Sequence, residues 1–282
     1  MPRLAVLLLP LLLLVSCENT NLLLMTDAAS DAVSAVTLGD EDVRRLSRQA
    51  AAEEDARHQV APTGNPHDQR LRRLVAAHAS YQGRSYNFKV YLGDTVNAFA
   101  MADGSIRVYG RLMELMSDEE LLFVIGHEMG HVALDHSRKK VVLAYAASAV
   151  RKGLAAQESE VGQLAGSVLG DFAEQLVNAQ FSQHEEHRAD DFGAAFLHSL
   201  GHDRAAAVSA LDKLARLARN HTFLSSHPDP EQRAQRLLRG DAAEPDEASS
   251  WLARAVEFGQ RLLLQLIDLL ALALAWLRSL LG

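Results

Sequence analysis

The feature that most constrains this chain is the run from Leu121 to His136, an apolar stretch that carries His127-Glu128-x-x-His131. Ser117-Asp118-Glu119-Glu120 precedes it. Ser117 and Glu120 stand at the spacing of a capping box, in which each side chain satisfies the other's backbone N–H just ahead of an apolar run. The run therefore predicts a helix, on which His127 and His131 fall one turn apart on one face. Two imidazoles so placed can bind a single Zn²⁺ at about 2.0–2.1 Å each. Glu128 lies between them, set to hydrogen-bond a metal-bound water rather than the metal, as a candidate general base. A surface helix with two histidines and a glutamate needs no metal. This helix is apolar, however, and unpaired His and Glu within it would carry a burial cost. Gly130 leaves room for another element to approach beside His131. The third ligand must come from elsewhere in the chain.

At 282 residues and 48% hydrophobic, the chain can bury a sizeable core, and one ordinary domain with extensions is the natural expectation. Its formal net charge of -8 lacks the basic face that a nucleic-acid partner would need. No internal repeat is evident. The one cysteine, Cys17, rules out an intramolecular disulfide. Met1-Pro2-Arg3 is followed by an apolar segment to Val15, too short for a comfortable membrane span, and this reads as a secretory signal. Leu14-Val15-Ser16-Cys17 resembles a bacterial lipobox, which implies cleavage before Cys17 and lipidation of it. Glu18 after the cysteine then leans towards the outer membrane.

Residues 18 to about 40 are small and polar, as a tether would be. Asp40 to His58 reads as an amphipathic helix, broken by Pro62-Thr63-Gly64-Asn65-Pro66. Helical spacing resumes from Asp68 to Tyr81. The pattern then shifts to short strands at Asn87–Leu92, Val96–Met101 and Ile106–Tyr109, expected as a small antiparallel unit. An edge strand here could receive an extended peptide by strand addition, or could simply cover the core. Ser137 to Gln180 reads as two helices with a soft junction near residues 155–162, and they could form a lid over the cleft. His136 reads as a surface histidine near a helix end.

A second cluster follows at Phe181-Ser182-Gln183-His184-Glu185-Glu186-His187-Arg188-Ala189-Asp190-Asp191-Phe192-Gly193. On a helix, Glu186 and Asp190 share a face. This suits Glu186 as the third metal ligand and Asp190 as the acceptor that holds a ligand histidine in the right tautomer. Two histidines and a glutamate with an open fourth position form the catalytic pattern for zinc. Spacing alone puts Glu186 only modestly ahead of Glu185, His184 and His187.

Helices are also expected over Asp203–Arg219 and from His227-Pro228-Asp229-Pro230 through Leu238, followed by an acidic linker from Asp241 to Ser250. The tail from Trp251 is apolar on most sides but is interrupted by Gln265 and Asp268. A central Asp disfavours a transmembrane span of about 20 residues. A helix that lies on a membrane surface or binds a partner fits better, with packing back on the domain as the alternative.

Taken in order, several motifs resemble the HtpX and CAAX-prenyl-protease type of zinc metalloendopeptidase (gluzincin). They are Asn97-Ala98-Phe99-Ala100, Gly104-Ser105-Ile106-Arg107-Val108-Tyr109-Gly110, the His127–His131 motif with His136 after it, Glu186-x-x-Ala189-Asp190-x-x-Gly193, and His227-Pro228 with Arg233. The similarity spans roughly residues 68 to 240 and is closest in type to periplasmic lipoprotein and outer-membrane quality-control members. It implies an α+β, mostly helical, zincin-like domain with a small antiparallel sheet before the His-Glu helix. It implies one Zn²⁺ per chain held by His127, His131 and Glu186, with Glu128 as general base and Asp190 behind a ligand histidine. His227 matches a histidine near the cleft, which either meets the metal in an inhibited form or steadies the oxyanion. Asn97, Ala98, Phe99 and Ala100 match the substrate-side edge strand. Gln183 departs from the family's usual Arg after Phe-Ser.

The expected organisation is a signal peptide over 1–16, a tether and helix over 17–67, the peptidase domain over 68–240, and a linker with the C-terminal helix over 241–282. The implied partners are protein or peptide substrates, a membrane reached through Cys17 and the tail helix, and outer-membrane assembly machinery. The other reading is a proteolytically quiet, zinc-containing chaperone or assembly factor. An intact Glu128 argues against it.

Overall fold

The computed structural model describes residues 38–155, 176–217, 222–241 and 243. The expected signal segment with Cys17, residues 156–175 of the expected lid, and the expected C-terminal helix lie outside the described residues. Among the described residues, no helix is long and apolar enough to cross a membrane.

The described elements run α1 (Asp40–Arg57), α2 (Pro66–Val75), β1 (Ser80–Tyr81), β2 (Arg84–Ser85), β3 (Asn87–Tyr91), β4 (Ala98–Ala100), β5 (Ser105–Tyr109), α3 (Gly110–Leu115), α4 (Asp118–Ala133), α5 (His136–Ala155), α6 (Gln183–Ser199), α7 (Ala205–Ala215), α8 (Thr222–Ser226) and α9 (Pro230–Arg239). This is the expected α+β, mostly helical class. Two local expectations change. The helix expected to reach Tyr81 stops at Val75, because Gln82 (φ 48) and Gly83 (φ 76) make the left-handed pair of a tight hairpin turn and draw Ser80–Tyr81 against Arg84–Ser85. The other change is in the main sheet, whose strand order is β3-β5-β4. β4 and β5 form the expected antiparallel hairpin, but β3 pairs with the far side of β5 in parallel register. Alternation identifies strands and their faces, not their neighbours, so the sequence could not give this order.

β5 is buried at all five positions. Ile106 and Val108 face the main core with Val90 and Ala98, whereas Tyr109, Tyr91 and Phe99 pack with α1. Arg107 also points to the α1 side. Buried there, it pairs with Asp55 of α1 through Nε at 2.8 Å and Nη2 at 3.1 Å. Lys89 Nζ and Tyr91 Oη also donate to Asp55, at 2.7 Å each. Burial works to raise the Asp55 pKa, but these donors outweigh it and hold the carboxyl below its usual range.

Helix α4 is the spine of the core. Its capping box forms as the sequence predicts: Glu120 N donates to Ser117 Oγ at 3.2 Å and Ser117 N to Glu120 Oε2 at 2.6 Å. The Glu120 carboxylate also accepts from Ser209 and Lys213 of α7, while Asp118 accepts from Arg70 and Arg73 of α2. Burial surrounds the helix because α6, α7 and the sheet cover different sides of it. Leu121, Ile125 and Met129 are fully buried, and such a side chain is worth about 1.5–3 kcal/mol in burial.

The closest partner of α4 is α6, and glycine sets the approach. A Cβ on Gly193 would sit 2.9 Å from the His127 backbone N and 3.0 Å from Phe123 O. On the facing helix, a Cβ on Gly130 would meet Phe192 Cβ at 3.0 Å, the room expected beside His131. Gly193→Ala should therefore push the two helices apart. The neighbours are backbone atoms that cannot swing away, and overpacking of this kind costs about 1–3 kcal/mol. Urea unfolding and metal content should fall together. A change within about 0.5 kcal/mol, the range of an ordinary surface substitution, would contradict this.

Candidate metal centre and active site

α4, α6 and the turn after α8 bring four side chains to one spot. His127, His131, Glu186 and, from the end of α8, His227 each place a potential ligand atom so that all lie within 4.8 Å of one another. All four are buried, none more than 1% exposed. His131 Nε2 is 3.0 Å from His127 Nε2 and 3.3 Å from Glu186 Oε1. His227 Nδ1 is 3.0 Å from Glu186 Oε1 and 3.3 Å from His127 Nε2.

The neighbours of these groups are as specific. Asp190, one turn after Glu186, places Oδ1 3.0 Å from His127 Nδ1. Glu128 is fully buried, and neither carboxylate oxygen has a hydrogen-bond partner among the described residues. His227 Nε2 lies 3.5 Å from Glu128 Oε1. Phe181 stacks on the His131 ring with centroids 3.6 Å apart, and Phe223 stacks on His227 at 4.4 Å.

The alternatives to Glu186 fall elsewhere. Glu185 caps α6, accepting from Ser182 N at 2.9 Å, and takes Lys139 Nζ at 2.9 Å. His184 and His187 are half-buried and outside the cluster. His136 is a correction: it is buried, not at the surface, and its Nδ1 is 3.1 Å from His131 Nδ1.

β4 is an edge strand that packs beside α4. Asn97 O and Met101 N bond to β5, so the backbone groups of Ala98 and Ala100 face outward. Ala98 N donates to Asn97 Oδ1 at 2.9 Å, and Ala100 O accepts from Ser137 Oγ at 3.2 Å. Asn97 Nδ2 is buried without a hydrogen-bond partner among the described residues.

Residues 64–240 match the sequence profile described as peptidase family M48. The chain belongs to this family. It is 40% identical over 227 residues to Metalloprotease LoiP of Escherichia coli (strain K12), covering 79% of this chain and 90% of that one. It is 38% identical to Metalloprotease YcaL of the same organism, over 80% and 91% of the two chains. A more distant relative is the Beta-barrel assembly-enhancing protease of that strain, 26% identical over 70% of this chain and 41% of the other. The chain is thus a metallopeptidase.

The M48 site suits a divalent cation on its own chemistry. Donors at the corners of a tetrahedron with bonds of about 2.0–2.1 Å stand roughly 3.3 Å apart. Here four of the separations between candidate donors run from 3.0 to 3.3 Å. Burial dominates the shift of His131 and pushes it well below its usual value, which leaves a neutral imidazole with a lone pair to offer. For Glu186, burial alone would raise the pKa, but Arg233 and the surrounding histidines hold it well below the carboxylate range. Asp190 is likewise held low, by Arg233 and His127 against burial. A single guanidinium faces these two carboxylates, so the cluster can accept added positive charge.

Arg233 is the residue whose role the sequence left unassigned. From α9 it reaches into the core, 1% exposed. It donates to Asp190 through Nη2 at 2.6 Å and Nε at 2.9 Å, and its Nη1 lies against Glu186 Oε2. On an amphipathic helix one arginine among three reads as solvated, and only its place in the His227-Pro228 motif could have flagged it. The departure at Gln183 has its own partner: Nε2 donates to Asp229 at 2.8 Å, tying the start of α6 to the turn after His227.

Proposed function

We propose that this M48 peptidase is a zinc-dependent endopeptidase that hydrolyses peptide bonds in misfolded or misassembled proteins of the bacterial envelope. The observation that carries the reading is the convergence of His127, His131 and Glu186 beside a buried Glu128 whose oxygens have no hydrogen-bond partner among the described residues. These three side chains would hold one zinc per chain. A zinc ion there supplies a lowered pKa for water and polarisation of the scissile carbonyl. The remaining work falls to the chain. Glu128 accepts the proton of the attacking water and passes it to the leaving amine nitrogen. Asp190 accepts from His127 Nδ1 and so keeps its Nε2 free for the ion. The outward Ala98 O and Ala100 N can pair with an extended substrate, and Asn97 Nδ2 is a spare donor at the same edge.

His227 closes the site in the resting form. Its Nδ1 stands among the ligand atoms, where an open catalytic position is required. Phe223 stacking and the bond from Phe181 N to Ser226 O hold the segment in place. Turnover then requires its withdrawal. His227→Ala should raise hydrolysis of an unfolded protein, by about tenfold if the closed form holds about nine molecules in ten. Lower or equal activity would count against closure and favour a role at the oxyanion.

Cleavage before Cys17 and its lipidation would place the enzyme on the periplasmic side of a membrane, the outer membrane by the residue at position 18. The name of the beta-barrel assembly-enhancing relative points the same way for partners, towards outer-membrane assembly machinery. The test is zinc content measured alongside casein hydrolysis. Zinc with cleavage supports the enzyme. Zinc without cleavage, in the wild type and in His227→Ala alike, would favour the quiet assembly factor. Absence of zinc would sink the reading.

A further inference from the structure

A neutral histidine that offers Nε2 to a metal must carry its proton on Nδ1, and a buried N–H without an acceptor is costly. His127 meets this need through Asp190. Among the described residues, no carboxylate bonds to His131 Nδ1. What His131 has is His136, itself only 5% exposed, with its own Nδ1 at 3.1 Å.

The backbone is shaped to make this meeting. α4 ends at Ala133, and Asp135 then takes a left-handed conformation (φ 61). The chain reverses there, so His136, the first residue of α5, returns over the last turn of α4. The two rings meet at 65°, with centroids 5.2 Å apart. That near edge-on approach is suited to a ring N–H pointing at the lone pair of the other ring. A second clamp comes from the same helix. Phe181 stacks on the His131 face, and the Lys140 ammonium, one turn after His136, sits 3.4 Å from the Phe181 ring centroid. Residues of α5 therefore act on His131 both along its Nδ1 axis and, through Phe181, across its plane.

We propose that His136 is a positioning residue for the metal site: its unprotonated Nδ1 accepts the Nδ1–H of His131 and thereby fixes the tautomer and ring direction that present His131 Nε2 to the ion. The inference rests on the reading of His131 as a ligand. It makes a specific demand on His136, which must carry its proton at Nε2.

The direct test is ¹⁵N NMR of the histidine rings in the zinc-loaded full chain. The expected spectrum has His131 protonated at Nδ1 and His136 protonated at Nε2 alone. A proton on His136 Nδ1 would overturn the proposal without any variant having to fold. The second arm measures zinc affinity by chelator competition. His136→Leu should weaken binding by about 10–100-fold, the usual effect of losing a partner behind a ligand histidine. His136→Asn, whose Oδ1 can stand where Nδ1 stood, should recover most of it. Equal affinities for Leu and Asn would mean that His136 only fills space. His131→Ala separates the two levels of the argument. Undiminished zinc in that variant would remove the ligand reading and this inference with it. Loss of zinc in His131→Ala, with full affinity in His136→Leu, would remove this inference alone.

Discussion

Glu128→Gln is expected to abolish casein hydrolysis while leaving zinc content and fold intact. The two side chains are nearly isosteric, and the amide cannot take a proton from water. General-base catalysis of this kind is worth about 10²–10⁴-fold, so activity should fall by roughly that factor, about 3–5 kcal/mol of barrier. Zinc should stay because Glu128 is not among the converging ligand atoms. Stability should hold, since Gln keeps the shape of Glu128 and the wild-type oxygens have no hydrogen-bond partner among the described residues to lose. The three readouts move separately, which makes the variant informative. Activity near that of the wild type would dismiss Glu128 as the base. Loss of zinc would mean that Glu128 belongs to the ligand set. A large loss of stability would mean that its oxygens have partners in solution.

What the sequence disclosed follows from the range of its signals. The capping box at Ser117 and Glu120, the helical period through His127 and His131, and the shared face of Glu186 and Asp190 are all local. Each could be read within a few residues, and each stands where the spacing predicts. Tertiary arrangements were less accessible. The parallel pairing of β3 with β5 depends on which edge of the hairpin a third strand chooses, and alternation within β3 does not encode that. His136 was misread because a histidine just past a helix end is usually solvated. Only the left-handed Asp135 turns it back onto His131, and an aspartate in that conformation is not announced by pattern. The choice between Glu185 and Glu186 needed the facing helix. One side chain caps its own helix, and the other points at α4 across the gap that Gly193 keeps open. Arg233 was hidden most completely. Its partners Asp190 and His127 lie 43 and 106 residues away in the chain.

That arginine carries the second large effect. Arg233→Leu should destabilise the metal-free protein by about 3–5 kcal/mol, because it strands Glu186 and Asp190, both fully buried, without the cation they share. Against a total stability of about 5–15 kcal/mol, such a loss is severe. Arg233→Lys should rescue little. An ammonium cannot reproduce the fork in which Nε and Nη2 engage both Asp190 oxygens while Nη1 reaches Glu186. Saturating zinc should narrow the deficit, since an ion bound to the folded state alone stabilises it and supplies part of the missing positive charge. The pH dependence has a definite sign. In the wild type, the folded-state pKa values of both carboxyls are depressed, so their contribution is complete above the unfolded values and is lost as pH falls through the folded ones. Without Arg233, the largest influence left on each is burial, which raises the pKa and lets a proton relieve the stranded charge. Acid thus weakens the wild type only below the unfolded values, whereas at higher pH it already stabilises the variant by protonating the stranded carboxyls. The gap between their metal-free unfolding free energies should shrink from about pH 7 to about pH 5. A gap below about 1 kcal/mol, as for an exposed ion pair, or one independent of pH, would show that the carboxylates do not depend on Arg233.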